Sequence, residues 1–283
     1  SWVPVYPRGG KCFQHVSDCA IGHALAMDEG RPGRRYLLAN EIMDLFRRYM
    51  AFVARDKDKF NNVIRPAVRD KYKFSDDVRA EVRGMLEGIR DKLGAENTGT
   101  QFGRPLDELD GLAVQALADW YPFACSAFVA WGDLAPTGPM VARNMDFFVH
   151  PVLLQNHMLV VHARSGKRPA YVSLTWPGLV GVLTGVNENG VTAFLLDAGP
   201  TMNTEKTGLV PRMMAARMIL EKAGAKTPAA DAYRMLKDVP TRWGGNLFVA
   251  GSEAGTTEGA VGVLERDARG TTMRVPGDDP LGP

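Results

Sequence analysis

Apolar side chains recur at helical spacing through the first 124 residues, in three blocks separated by breakers. Leu38, Ile42, Leu45, Phe46, Tyr49 and Val53 form the first stripe, which runs into the charged Arg55–Lys59 segment. Ser75, a good N-cap followed by Asp76 and Asp77, opens the second. That helix places Val78, Val82, Met85, Leu86, Ile89 and Leu93 on one face and stops at Gly94. After a glycine-rich loop over Asn97–Arg104, the third block starts near Pro105. It carries Leu106, Leu109, Leu112, Ala113, Ala116, Leu117 and Trp120 and ends before Pro122. The basic Arg65–Lys73 segment, which also contains Asp70, reads as a solvated face.

At Cys125 the period shortens to brief apolar runs punctuated by Gly, Pro and Asn, which predict strands. They cover Cys125–Trp131, Met140–Ala142, Met158–Ala163, Tyr171–Trp176, Val180–Thr184, Val191–Leu196, Leu247–Ala250 and Ala260–Leu264. Two helices interrupt them, one opening at Pro211 and running to Gly224, the other over Pro228–Asp238. Strands, a helical pair and strands again predict an α+β domain in which helices cover sheets.

Composition narrows the class. The chain has 283 residues, 45% hydrophobic and 23% charged, which excludes disorder, collagen and coiled coil. The net charge of +2 is spread evenly over both halves, so no nucleic-acid-binding arm stands out. No apolar run approaches the roughly 20 residues that span a bilayer. Three cysteines are too few for a disulfide scaffold or a closed zinc site, although Cys12 and Cys19 are near enough to pair in an exported protein. The start at Ser1 rather than Met and the turn-rich end are expected to reflect trimming; a removed signal peptide would explain the start, though no segment here shows one, and export is slightly favoured over the cytoplasm.

Cys125 is the odd thiol, placed where helix gives way to strand. A lone cysteine there also fits a buried small hydrophobe. Eighteen residues on comes Arg143-Asn144-Met145-Asp146, one hairpin downstream, so a thiol, a guanidinium and a carboxylate can converge at neighbouring strand ends. A guanidinium stabilises an adjacent thiolate, the reactive form, and a carboxylate can hold a protonated amine. The plain alternative for Arg143 and Asp146 is a surface ion pair at a turn.

Three segments carry a family resemblance: Cys125-Ser126-Ala127-Phe128-Val129-Ala130-Trp131-Gly132, Arg143-Asn144-Met145-Asp146-Phe147 and Gly185-Val186-Asn187-Glu188-Asn189-Gly190-Val191. Together they resemble the cysteine N-terminal nucleophile hydrolases of the linear-amide group. Penicillin V acylases, bile salt hydrolases, acid ceramidase, N-acylethanolamine acid amidase and isopenicillin N acyltransferase make up that group. Arg83-Gly84-Met85-Leu86-Glu87-Gly88 is similar to a stretch in the helical pro-segment of acyltransferase-like members.

The resemblance implies a four-layer αββα sandwich over residues 125–283, preceded by a helical pro-segment, residues 1–124, that stays associated as its own chain after cleavage. It implies that Cys125 attacks the Ala124 carbonyl, and that cleavage of the Ala124–Cys125 bond frees the Cys125 α-amine. An α-amine titrates near 7.7–8.0 in its ordinary state, so it can serve as base at neutral pH without a histidine. By the same resemblance Arg143 polarises the sulfur and Asp146 orients the amine. No cofactor and no metal are implied. The implied substrate is a small N-acyl amide, with no nucleic-acid partner and no membrane span. An acyltransferase that uses thioesters or esters at the same cysteine, and a non-catalytic binding protein retaining the fold, are the alternatives.

The chain departs from the pattern at the oxyanion donors. Bile salt hydrolase-like members carry an Asn about ten positions beyond the Asn-Glu-x-Gly turn, where this chain has Asp197, and an ionised Asp cannot donate. Its backbone N–H is one substitute and another role for its side chain is the other. Asn187 is a candidate oxyanion or substrate residue, although Asn-Glu-x-Gly alone signals only a tight turn between strands. Asn246 is the remaining later Asn, read as a turn or packing residue or a substitute donor. The Thr-Asn pair expected after Val263-Leu264-Glu265 does not occur, and residues 125–283 are short for a complete sandwich, so the working enzyme is expected to extend beyond Pro283.

His150, His157 and His162 have spacings of seven and five and lack a completing Cys or carboxylate, so they read as strand and loop histidines rather than a zinc site. Met213, Met214 and Met218 read as core before acyl-pocket lining. Trp131, Phe147, Phe148 and Trp176 flank the site and suit either an acyl cover or packing.

Overall fold

The structure, a computed structural model, describes residues 57–94, 104–121, 123–130, 132–135, 140–146, 157–199, 205–251, 260–275 and 277. The expected helix over 38–53, Cys12, Cys19, Trp131, Phe147, Phe148 and His150 lie outside them.

The chain enters as one helical stretch made of Lys57–Lys59, a π-helical Phe60–Ile64 and α1, Arg65–Lys71. This corrects the reading of Arg65–Lys73 as a solvated face. Phe60, Ile64 and Val68 recur every four residues and are buried, so the basic side chains occupy only the outer side of a packed helix. Helix α2, Asp76–Leu93, begins where Ser75 caps it and ends at Gly94 with φ +77°. It buries Val78, Val82, Leu86 and Ile89, the stripe that the spacing predicts. Helix α3, Glu108–Gln115, starts later than expected because Asp107 and Asp110 close a reciprocal capping box. A single 3-10 turn, Leu117–Asp119, follows.

Strands β1, Ala124–Ala130, and β2, Met140–Asp146, form a two-stranded antiparallel sheet. Strand β2 is longer than its apolar part, so Arg143 and Asp146 belong to the strand itself. The register sets Ala124 opposite Asp146, Cys125 opposite Met145 and Ala127 opposite Arg143. Seven further strands form one antiparallel sheet in sequence order: β3, Met158–His162; β4, Tyr171–Thr175; β5, Thr184–Asn187; β6, Thr192–Asp197; β7, Gly245–Ala250; β8, Val261–Arg266; β9, Thr271–Arg274. Helices α4, Arg212–Lys222, and α5, Pro228–Leu236, join β6 to β7.

The expected strand over Val180–Thr184 is displaced: only Thr184 is strand. Val180 N–H goes to the Gln115 side chain and Val182 N–H to the Met213 carbonyl, so this part of the run seats α4, while only Leu183 carries the ladder one bond further by accepting from Leu195 N–H at 2.8 Å. Its valines and leucines carry the apolar signal of a strand because Val182 and Leu183 are buried beneath that helix. Strand β9, polar and short, has no apolar run to announce it.

Both helices cover one face of the large sheet, burying Ala193, Leu195, Leu247, Val249 and Leu264 against Met213, Ile219, Leu220, Ala229 and Ala232. Gly185 belongs to that face, and a Cβ there would meet Leu220 Cδ1 at 2.5 Å. Side chains alternate along a strand, so Thr184, Leu174, Phe194 and Phe248, which share register rows, face the other way. The small sheet lies on that second face. Helices, seven-stranded sheet and two-stranded sheet thus stack in order, an α+β arrangement of antiparallel sheets with a helical N-terminal segment, as the sequence predicts.

The N-terminal helices share a core with the rest of the chain. Val180, Leu209 and Met214 pack among Phe60, Val82, Leu106 and Leu117. Leu209 exchanges backbone hydrogen bonds with Lys71 and Lys73, both of 2.8 Å. Glu81 on α2 takes a bidentate pair of 2.7 Å bonds from Arg217 on α4, both side chains buried.

Candidate active site

Alternation along β1 and β2 turns Cys125, Ala127, Arg143 and Met145 toward the large sheet and leaves Ala124, Ser126, Asn144 and Asp146 exposed. Arg143 reaches Cys125 across the sheet, donating from Nη2 to Sγ at 3.0 Å and to the Leu195 carbonyl at 2.8 Å. Its Nη1 donates to Thr184 Oγ1 at 3.0 Å and meets Met145 Sδ at 3.1 Å. The thiol lies 4.0 Å from the Leu195 carbonyl oxygen, its other polar neighbour. Thr184 and Leu195 come from the second face and the backbone of the large sheet, so the guanidinium is fixed between the two sheets. Burial, which disfavours a charge, pulls the Arg143 pKa below its ordinary value, and the neighbouring Cys125 and Asp146 oppose that shift. A fork held by three partners presents the sulfur with a fixed cationic donor, as a nucleophilic cysteine requires.

Asp146 is not in contact with the sulfur. Its carboxylate accepts from Asn144 Nδ2 at 2.6 Å on the exposed side, and in register it lies opposite Ala124, the residue before the thiol.

The carboxylate of Asp197 ends β6 and is filled by donors. Oδ2 accepts from Phe123 N–H at 2.9 Å. Oδ1 accepts from Gly199 N–H at 3.2 Å, Arg212 Nη1 at 3.1 Å and Trp243 Nε1 at 2.8 Å. Both oxygens must accept, which an asparagine can do at one end only, and this accounts for an acid at this position. Phe123 is two residues upstream of Cys125.

Asn187 sits elsewhere. Its Oδ1 accepts from Asn189 and Val191 N–H and its Nδ2 donates to the Leu220 carbonyl at the end of α4. Gly190, with φ +76°, lets the turn close. Three strand residues, roughly 10 Å, separate Asn187 from Thr184. Asn246 pairs with Leu196 across β6 and β7, which puts it on the face shared with Thr184 and Phe194. Thr184 and Arg212 have no signal in sequence spacing: Thr184 arrives through the stacking of the two sheets and Arg212 through the start of α4, which is seated against Asp119 and Asp197. Of the histidines, His157 lies tilted against Trp176, ring centroids 4.4 Å apart, and His162 stacks on Tyr171 at 4.0 Å. Among the described residues no cluster of His, Cys, Asp or Glu could hold a metal.

Residues 134–266 match the family model described as acyl-coenzyme A:6-aminopenicillanic acid acyl-transferase. The matched segment contains Arg143, Asp146 and Asp197, and Cys125 precedes it. The resemblance to the cysteine N-terminal nucleophile group expected from the sequence is thereby borne out. Among solved structures, the chain is similar to a Caenorhabditis elegans ortholog of N-acylethanolamine-hydrolyzing acid amidase, at 21% identity and a TM-score of 0.41. That likeness covers 54% of this chain and 63% of the other. A comparison with curated proteins finds no match.

Proposed function

We propose that this chain is a self-processing cysteine amidohydrolase or acyltransferase that breaks a linear, non-peptide amide of an N-acyl substrate through a thioester on Cys125. The observation that carries the reading is the 3.0 Å contact of Arg143 Nη2 with Cys125 Sγ, held by Thr184 and Leu195. In the first reaction the sulfur bonds to the Ala124 carbonyl carbon, the Ala124–Cys125 C–N bond breaks and the proton passes to the departing nitrogen. Water then hydrolyses the thioester, leaving a carboxylate on Ala124 and a free α-amine on Cys125. Residues 1–124 and 125–283 become two associated chains.

In turnover the same sulfur bonds to the substrate acyl carbon, and the leaving amine takes its proton from the Cys125 ammonium. Water or a second amine releases the acyl group. Asp146 orients the new ammonium in this reading, which its register position opposite Ala124 supports. The oxyanion calls for donors on the sulfur side. Asn246 lies on the correct sheet face, and the Asp197 backbone N–H is the alternative, since its carboxylate only accepts.

Intact-mass measurement of wild type and Cys125→Ala tests the reading. Wild type is expected as two fragments divided at Ala124–Cys125 and the variant as one, and an N-acyl amide probe should add its acyl mass to the Cys125 fragment only. A wild type that stays whole and takes no label on Cys125 leaves a non-catalytic binding protein. The description of the matching family favours a second reading, in which coenzyme A thioesters are the acyl donors. Acylation of Cys125 by such a thioester, and not by the amide, would select it.

A further inference from the structure

Arg212 is 2% exposed at the first position of α4, and Asp119, in the 3-10 turn just before β1, is fully buried beside it. The arginine Nε and backbone N–H both go to Asp119 Oδ1 at 3.2 Å. Its Nη1 goes to the Gly244 carbonyl at 2.5 Å and to Asp197 Oδ1 at 3.1 Å, and its Nη2 goes to the Ala118 carbonyl. The guanidinium also lies 5.2 Å from the Phe123 ring centroid. One buried cation therefore ties together Ala118, Asp119 and Phe123, which lead into the scissile bond, and Asp197, whose other oxygen holds the Phe123 amide. The acyl-transfer chemistry uses none of these side chains, the Asp197 carboxylate included, and none of their polar atoms touches the thiol.

Position explains what it can do. The Ala124 carbonyl must be held at the Cys125 sulfur before the first C–N bond breaks, and an extended segment entering β1 has freedom that only fixed anchors remove. Phe123 N–H is one such anchor, and it is as rigid as the carboxylate that accepts from it. Arg212 and Trp243 fix that carboxylate from the opposite side. After cleavage the Phe123–Ala124 end no longer belongs to the nucleophile's chain, so the same anchor has less to contribute to turnover.

We infer that Arg212, acting through Asp197, is a positioning residue for self-cleavage, holding the Phe123 amide so that the Ala124 carbonyl stays at the thiol. The inference rests on the self-processing reading. Arg212→Lys and Asp197→Asn, made in the full chain, test it by two rates: the appearance of the two fragments by intact mass, and the acylation of Cys125 per mole of processed chain. Both variants should process at least tenfold slower than wild type, with acylation per processed chain reduced at least tenfold less than processing. Hydrogen exchange of the peptide containing Phe123, measured in a Cys125→Ala background that keeps the chain whole, should accelerate in both variants while α2 and β8 keep their protection. That local measurement also answers for a variant too poorly processed to assay. Processing at the wild-type rate, equal losses in the two rates, or unchanged Phe123 exchange overturns the inference alone. A wild type that stays whole like Cys125→Ala removes the self-processing reading and the inference with it.

Discussion

Arg143 makes four polar contacts through two terminal nitrogens, to Cys125, Leu195, Thr184 and Met145. The planar fork is what spans them, since a lysine offers one nitrogen and cannot reach sulfur and hydroxyl together. Arg143→Lys should lower the rate of Cys125 acylation by about 100-fold, the scale of losing a fixed charged donor at a reacting centre. Thr184→Val keeps the side-chain shape and removes the acceptor. A hydrogen bond to a charged group contributes about 1.5–3 kcal/mol, so a loss of about 10- to 100-fold is expected with folding intact, read by pre-steady-state labelling and circular dichroism. Arg143 was legible from the sequence because it is three residues from Asp146 behind a Cys-led strand. Thr184 was not, because its neighbourhood to Arg143 comes from two sheets meeting rather than from spacing along the chain.

At the scale of elements, α4 fixes how closely the large sheet is covered. It crosses β5 at Gly185, where a Cβ would fall 2.5 Å from Leu220 Cδ1 and 2.8 Å from the Val172 carbonyl oxygen. The second neighbour is backbone and cannot swing aside. Gly185→Ala should therefore destabilise by about 1–3 kcal/mol, seen as a lower denaturant midpoint at unchanged slope. Because Thr184 is the next residue, Arg143 would lose order as well, and the acylation rate should fall in the same variant. The apolar periodicity gave α2, α4 and α5 close to their true limits, since each has a stripe and a stop signal. It misplaced the Val180–Thr184 strand because a buried apolar run looks alike whether it pairs in a sheet or seats a helix.

Over the whole molecule, the N-terminal helices are joined to the remainder by core packing and by the Glu81–Arg217 pair, which holds the Arg217 pKa above its ordinary value against the opposing effect of burial. Glu81→Ala removes both bonds of that pair but leaves the buried guanidinium with the Glu221 carboxylate at 2.8 Å. It should therefore cost about 1.5–3 kcal/mol in global unfolding, the scale of a lost hydrogen bond to a charged group, measured by chemical denaturation. For a chain cut at Ala124–Cys125 as proposed, the same contacts predict that the two fragments co-elute from a sizing column in native buffer and separate only in denaturant.

Stability should also depend on pH through His157, whose pKa burial lowers. The unfolded chain then binds the proton more readily than the folded one, so the contribution is full above the ordinary histidine value of about 6.5 and is lost as pH falls below it. Thermal unfolding followed between pH 5 and pH 8 should show a lower midpoint on the acid side, and His157→Phe should flatten that slope.

The sequence by itself determined the α+β class, the helical N-terminal segment and most strands, and it put Cys125, Arg143 and Asp146 forward as one candidate site, because periodicity and short motifs are local and survive in one dimension. Tertiary structure decided the rest. It put Arg143 on the inner face and Asp146 on the outer, turned Asp197 into an acceptor for the chain entering β1, and brought Thr184 and Arg212 near Cys125, from which they are 59 and 87 residues away in sequence. Those placements follow from strand register, sheet stacking and the seating of α4 on the sheet, which couple residues through space and leave no periodic trace along the chain.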